Sequence, residues 1–343
     1  MCKHRGMRDN VRARARGVVR SALKSLVRLP GLKGLYYSLR NAESFEDLPW
    51  HDLMLADHVR MSTYSQAIDE LVPEGSVVVD VGTGSGVLAC LAARRASKVY
   101  AIEHTTLIDR AKLLAESNGL TNVEFLRVHS REFSPPEKVD VLLHEQIGMN
   151  LVDEDMIANL GDLRRRVLKP GGIILPGRFE FRVVPVSLDP EDRIPFLHEQ
   201  RMHGLDFAAF AAVNKPEIAA KGWDRRLIDP REVAMTFAPA ATLFGLDLAS
   251  DAGSALPPES HAAFVAEHDG TLDGFAVFFA VEFSPEIGFH TGPGATKTHW
   301  RCRLYCTEQR EIHQGDQLDF SLSISQPTDA SAWKWGYEIG RTG

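Results

Sequence analysis

The sequence predicts an α/β protein in which a doubly wound parallel sheet is followed by a β-rich second half. Three observations predict it. Residues 75–175 alternate short apolar runs with helical stretches, the pattern of parallel strands joined by crossovers. Residues 77–86 read Val-Val-Val-Asp-Val-Gly-Thr-Gly-Ser-Gly, a buried parallel strand breaking into a glycine turn. From Pro176 onward the runs become short, β-branched and aromatic, the texture of a sandwich or barrel-like domain.

The elements follow in order. Leu53 to Leu71 reads as one helix carrying Met54, Asp57, Arg60 and Tyr64 near helical spacing, with His51 just before it. Strand 77–81 leads through the turn to helix 86–95, strand 98–102 and helix 106–118. Strands 123–128 and 139–143, helix 154–167 and strand 172–175 complete the alternation, with Lys169-Pro170-Gly171-Gly172 as a helix stop and turn. Beyond it, Phe179–Val186, Val233–Phe237, Phe275–Phe283, Thr298–Tyr305 and Leu318–Ser325 read as strands. Residues 197–222 read as an alanine-rich helical arm, and Asp251–Ser260 as a loop.

The glycine turn is a candidate ligand site. Gly82, Gly84 and Gly86 let a ligand approach the backbone closely. Seventeen residues after Gly86, Glu103 ends the second strand, placed to accept hydrogen bonds from two ribose hydroxyls. The third glycine comes one position too early for a dinucleotide fingerprint, and Val87 stands at the dinucleotide position. Asp80 would repel a pyrophosphate, whereas S-adenosyl-L-methionine brings a sulfonium and an amino group that an acid favours. That cofactor is the expectation; a nicotinamide or flavin dinucleotide, or a nucleotide fold without ligand, are the alternatives.

Composition bounds the partners. No run of eighteen apolar residues exists, so no membrane span is expected. Cys2, Cys90, Cys302 and Cys306 show no zinc-site pairing, which reads as a reduced, cytoplasmic protein with no metal. The net charge of −7 hides an asymmetry, for residues 1–34 hold ten Lys/Arg against Asp9. That basic arm reads first as a solvated, amphipathic helix, with nucleic acid, anionic lipid or a transit function as alternatives. The remainder holds 29 basic and 45 acidic residues, which argues against a nucleic-acid substrate and suits a cationic one.

A second site forms where strand 139–143 runs into His144-Glu145-Gln146-Ile147-Gly148-Met149, with Glu154 at the next helix start. Two acids across a glycine turn can grip both sides of a planar guanidinium. Taken singly, Glu154 is an ordinary helix N-terminal acid and Glu145 a loop residue. Thr298-His299-Trp300 is a third polar–aromatic cluster, although a lone Trp is more often core.

Together these motifs resemble the protein arginine N-methyltransferase family, in order from about Leu35 to the C-terminus. The resemblance also covers His51–Arg60 and the stretch leading to Thr291-Gly292-Pro293. It implies a Rossmann-like cofactor domain (35–175, with lid helices) and a β-barrel domain (176–343) bearing a dimerisation arm at about 199–223. It implies methyl transfer to a guanidino nitrogen of a protein, peptide or free arginine, and a homodimer. The alternatives are another nitrogen or oxygen acceptor, or a non-catalytic scaffold. By the resemblance, Arg60 pairs with the cofactor carboxylate, Gly82 and Gly84 lie beneath its methionine portion, Glu103 holds its ribose and Ser130 meets its adenine. Glu145 and Glu154 form the guanidinium clamp, and Asp57 with His299 carries the released proton. Met54 and Met156 crowd the accepting nitrogen, and Trp300 lies on the substrate side. The chain departs from the family's Ser-Glu-Trp-Met-Gly-Tyr loop at His144, Gln146, Ile147 and Met149. Phe45 stands where a tyrosine would bond the clamp, and Arg131 replaces an adenine-side glutamate.

Overall fold

The computed structural model describes residues 48–341. The basic arm of residues 1–34, Tyr36-Tyr37 and Phe45 lie outside the described residues. Residues up to Leu53 belong to one unit and Met54–Gly343 to another.

Helix α1 (Leu48–Leu55) and helix α2 (His58–Leu71) replace the single helix expected over Leu53–Leu71. The break is made by Asp57, whose φ of −75° and ψ of 94° are extended and whose carboxylate caps α2 through the Arg60 N–H. A buried carboxylate needs donors, and the first turn of a helix offers them.

The parallel sheet comprises β1 (Val77–Val81), β2 (Lys98–Glu103), β3 (Val123–Arg127), β4 (Val139–His144) and β5 (Leu168–Leu175) in the order β3-β2-β1-β4-β5. Every residue of β1 is buried, as a central parallel strand requires. Helices α3 (Val87–Ala92), α4 (Ile108–Ser117) and α5 (Met156–Arg166) make the crossovers. The strand order reverses between β1 and β4, so their carboxyl ends frame the crevice where such sheets bind ligands. The expected stop at Lys169–Gly172 is corrected: β5 already begins at Leu168. The pairing of β4 with β5 jumps from Val139–Leu168 to Val141–Ile173, so the Pro-Gly-Gly turn is a bulge within the strand.

The second half is antiparallel and curls into the barrel. Its spine is β6 (Arg178–Leu188), β13 (Gly270–Glu282) and β15 (Cys302–Ile312), flanked by β9 (Arg225–Ile228), β10 (Val233–Thr236), β11 (Ala241–Asp247) and β14 (Gly288–His290). A further sheet pairs β12 (Glu259–Val265), β16 (Gln317–Ser323) and β17 (Lys334–Gly340). Phe179, Phe181, Phe275, Phe279, Trp300 and Phe320 fill a core continuous with Ile147 and Met156 of the parallel half.

The arm is not one helix. Residues 197–222 form a short 3-10 turn, a hairpin of β7 (Arg201–Met202) and β8 (Leu205–Asp206), another 3-10 turn and helix α6 (Ala211–Lys221). His203 and Gly204 turn the hairpin at positive φ, and no residue of α6 is buried, so no core face enforces a continuous helix. Leu205, Val213, Met202 and Phe210 are left exposed. The expected strand at Thr298 starts only at Cys302, because Thr298–Arg301 is a turn closed by Arg301 at φ 59°.

Candidate active site

The glycine turn crosses the carboxyl end of β1. Gly82, Gly84 and Gly86 all have positive φ, and a Cβ on Gly86 would lie 2.7 Å from the Ala111 Cβ, so helix packing demands glycine there. Gly82 and Thr83 donate their N–H groups to the Ile102 carbonyl, tying the turn to β2. Glu103, at the end of β2, accepts from Gly84 N at 3.2 Å and Thr105 N at 2.9 Å, with His104 Nδ1 at 3.3 Å. Burial alone would raise its pKa; these donors outweigh it and bring the carboxyl down to about 2. It is therefore an anion with lone pairs to spare for a pair of hydroxyls.

Asp80 was expected to face the ligand directly. It is 1% exposed and lies beneath the turn, where Thr83 Oγ1 donates to it at 2.5 Å. Burial lifts its carboxyl to about 7. The structure makes it a brace for the turn, with its charge acting from below. Ser130 sits in the turn after β3, its carbonyl accepting from Arg166 Nη2 at 3.1 Å.

Glu145 follows β4 directly. Its Oε2 accepts from Arg60 Nη2 at 2.6 Å and its Oε1 from Ile147 N at 3.3 Å. Arg60 also donates Nη1 to the Met54 carbonyl at 3.1 Å, while its buried Nε has no protein partner among the described residues. A residue expected at the cofactor carboxylate and one expected at the guanidinium thus sit side by side. Glu154 was expected at a helix start. It lies two residues before α5, in a loop where Leu151 and Asp155 hold positive φ at 67° and 57°. Burial first, then the charges of Glu145 and Asp153, push its pKa well above the ordinary carboxylate value. The charge that disfavours ionisation of Glu154 is what an incoming cation offsets.

Asp57 joins this group from the other side. Its Oδ2 accepts both the backbone N–H and the Nδ1–H of His299 at 2.8 Å, an assignment that follows because a carboxylate only accepts. The pair is nearly closed to solvent, with side-chain exposures of 2% and 8%.

Two residues expected on the substrate side are buried in this structure. Trp300 is 1% exposed, packed between Phe279 and Phe289, and donates Nε1–H to the Ile147 carbonyl at 2.7 Å. Met156 is fully buried in the same core. Both belong to the core beneath the loop that carries Glu145 and Glu154. Met54 is half-buried and contributes its carbonyl to Arg60.

Sequence reasoning missed the loop's supports. Asn150 donates its N–H and Nδ2–H to Asp153 at 3.1 and 2.8 Å, and Arg303 of β15 donates Nε–H to Asn150 Oδ1 at 2.7 Å. The three-residue Asn–Asp spacing is a turn signal that was available. Nothing in the sequence couples Arg303 to it. His144, the departure from serine, is buried and uses Nε2 on the Pro176 carbonyl at 2.8 Å. Burial lowers its pKa to about 4, so it is neutral. Tyr64 donates its hydroxyl to the His144 carbonyl at 3.0 Å. The strand end that aims Glu145 is therefore held from α2 and from the start of the barrel.

Both halves of the chain are similar to known proteins. Residues 78–172 match the family described as methyltransferase domain, and residues 203–334 that described as arginine methyltransferase oligomerization subdomain. Over 298 residues the chain is 29% identical to protein arginine N-methyltransferase 6 of Xenopus tropicalis, covering 84% of this chain and 86% of that one. It is 27% identical over 303 residues to protein arginine N-methyltransferase 2 of the same frog, covering 85% and 69%. Its fold matches the Trypanosoma brucei protein arginine methyltransferase 1 enzyme-prozyme complex with AdoHcy (TM-score 0.71, 21% identity, 87% of this chain and 99% of that one). It also matches Arabidopsis thaliana protein arginine methyltransferase 10 (TM-score 0.69, 25% identity, 87% and 99%).

Proposed function

The chain belongs to the protein arginine N-methyltransferase family, and from that premise we propose that it transfers a methyl group from S-adenosyl-L-methionine to a guanidino nitrogen of arginine. The observation that carries this reading is the pair of carboxylates, Glu145 and Glu154, at the carboxyl end of β4 beside the glycine turn. Both chain relatives at 84–85% coverage are named for the same activity.

The residues fit the cofactor. Gly82 and Gly84 offer open backbone, Glu103 an ionised acceptor for the ribose, and Arg60 a guanidinium with an unused buried Nε–H. Bound S-adenosyl-L-methionine supplies an electrophilic methyl carbon on a sulfonium sulfur. Arginine is protonated at neutral pH, so its lone pair must be recovered locally. Glu145 and Glu154 draw the positive charge toward one terminal nitrogen, leaving the other more nucleophilic. The loop's fixed geometry then aligns that nitrogen with the methyl, which supplies much of the rate. The Asp57–His299 pair accepts the released proton, with Asp57 holding the imidazole so that Nε2 is the basic nitrogen.

The same reading divides the chain into the basic arm, a cofactor domain (35–175) and a barrel (176–343). It makes the protein a homodimer in which the arm, with exposed Leu205, Phe210 and Val213, packs on the partner. The match of residues 203–334 to an oligomerization subdomain supports that assembly. Cys90, Cys302 and Cys306 are free thiols, which supports a cytoplasmic setting. No described helix is long and apolar enough to cross a membrane.

The test is label transfer from methyl-tritiated S-adenosyl-L-methionine to free arginine, an arginine-rich peptide and cell extract, with product mass spectra. Methylarginine in wild type and its loss in both Glu145→Gln and Glu154→Gln support the assignment. Label on an alcohol or carboxylate with none on arginine overturns it.

A further inference from the structure

The Pro-Gly-Gly bulge in β5 belongs to no part of the catalytic reading, yet it lines a cleft well away from the active site. That cleft encloses about 300 Å³ and is bordered by Lys138, Arg164, Arg165 and Lys169 together with the glycine turn. None of its lining residues is acidic. It lies at the amino ends of β4 and β5, so the length of β4, six residues, separates it from Glu145 by about 20 Å.

Three of the four cations have carboxylate partners beside the cleft. Arg164, mostly buried, bonds Asp251 and the Leu248 carbonyl, and Arg165 reaches the same Asp251 oxygen at 2.9 Å while staying 58% exposed. Lys169 bonds Asp140 at 2.8 Å, and Lys138 has no carboxylate partner among the described residues. Arginines suit the carboxyl end of a helix, which accounts for their presence on α5. It does not account for the cleft, since Arg166 of the same run turns away to Asp162 and the Phe133 carbonyl. Gly171, at φ 76°, has nothing within reach of a Cβ, so its backbone faces open space. Gly172 has no room for one, which fixes the bulge against Leu168 and Asp140.

We propose that this cleft binds a small polyanion, a compact phosphoryl or polycarboxyl ligand, between Lys138, Arg165 and the glycine turn. Guanidinium and ammonium groups facing one cavity are complementary to such a ligand. A long polyanion would meet the net charge of −16 that the chain carries after residue 34. A small one feels mainly charges within a screening length of about 8 Å.

The test titrates pyrophosphate and citrate calorimetrically into full-length protein saturated with S-adenosylhomocysteine, which takes the active site out of the measurement. One saturable site per chain is expected, and the tighter of the two probes identifies the anion's source. Arg165→Ala and Lys138→Ala, both at exposed positions, should each weaken it about 10-fold, and Asp251→Asn should strengthen it several-fold by freeing two guanidinium groups. Methyl transfer should be unchanged in the two alanine variants, so the outcome is separate from that of the catalytic reading. No saturable heat with either probe, wild-type affinity in Arg165→Ala, or binding of single-stranded RNA without response to the small probes would each overturn the proposal.

Discussion

Asp57→Asn perturbs a carboxylate that accepts three hydrogen bonds at the site. One oxygen accepts the Arg60 N–H at 3.0 Å, and the other accepts two donors of His299 at 2.8 Å. Asparagine keeps the shape but has one oxygen, and its NH2 must face donors on the other side whichever way it turns. Keeping the helix cap sacrifices two bonds to His299; keeping those sacrifices the cap and leaves them uncharged. A cap is worth about 1 kcal/mol and a hydrogen bond to a charged group about 1.5–3 kcal/mol. The cheaper orientation therefore costs about 2–3 kcal/mol. On turnover, about 2 kcal/mol of lost imidazole support corresponds to a fall of roughly 30-fold in kcat. Urea midpoints and steady-state kcat measure the two effects separately. Burial raises the Asp57 carboxyl, but the hydrogen bonds from His299 and the Arg60 backbone outweigh it, so its folded pKa lies below the ordinary value. Its stabilisation is then present above about pH 4 and is lost as pH falls through the folded pKa. The gap between wild type and variant should be constant from pH 6 to 8 and shrink below pH 4. A variant with wild-type kcat and an unchanged urea midpoint would refute the role assigned to Asp57.

Glu154 gives a stability effect of opposite sign. Its folded pKa is raised, so its ionisation destabilises the fold as pH climbs above the unfolded value of about 4.3. Glu154→Gln should melt higher than wild type at pH 8, match it near pH 4 and lose most turnover; a lower Tm at pH 8 would contradict the burial argument. Glu103→Gln should weaken S-adenosylhomocysteine binding about 10-fold by calorimetry, the loss of one charge-assisted contact. Trp300→Phe keeps the ring packing and removes the bond to the Ile147 carbonyl, so kcat should fall several-fold with cofactor affinity unchanged; an effect on cofactor affinity alone would place Trp300 elsewhere. Leu205→Glu with Phe210→Glu should convert a sedimenting dimer to a monomer, and a monomeric, fully active wild type would remove the arm from the assembly.

The parallel half was legible because its signals are local. A continuous apolar run is what a strand buried on both faces requires, and β1, β2 and β4 begin at the residues expected and end within one of them. The turn at Gly82–Gly86 followed from backbone conformations that only glycine adopts cheaply. The arm failed because alanine-rich composition favours a helix only where a buried face stabilises it, and here none does. The strands Ala241–Asp247, Glu259–Val265 and Lys334–Gly340 escaped notice because each is interrupted by Gly or by polar residues, and the first two pair only with strands distant in sequence.

At the site, residue type identified the acids, whereas their roles depend on partners distant in sequence. Asp57 meets His299 across 242 positions, and Arg303 meets Asn150 across 153. The resemblance placed Trp300 on the substrate side, and the structure directs it and its neighbour His299 to different partners. Positive φ at Arg301 lets His299 point to Asp57 while Trp300 points into the core. Adjacent residues thus bond opposite partners, His299 the Asp57 carboxylate and Trp300 the Ile147 carbonyl of the loop that follows Glu145. Strain at Leu151, Asp155 and Arg301 is concentrated on the two loops that bear Glu154 and His299. Arg301→Gly should therefore stabilise the fold slightly, since glycine carries no cost at φ 59°, while leaving His299 on Asp57. A loss of turnover in that stabilised variant would show that the turn's rigidity, beyond its conformation, holds the imidazole in place.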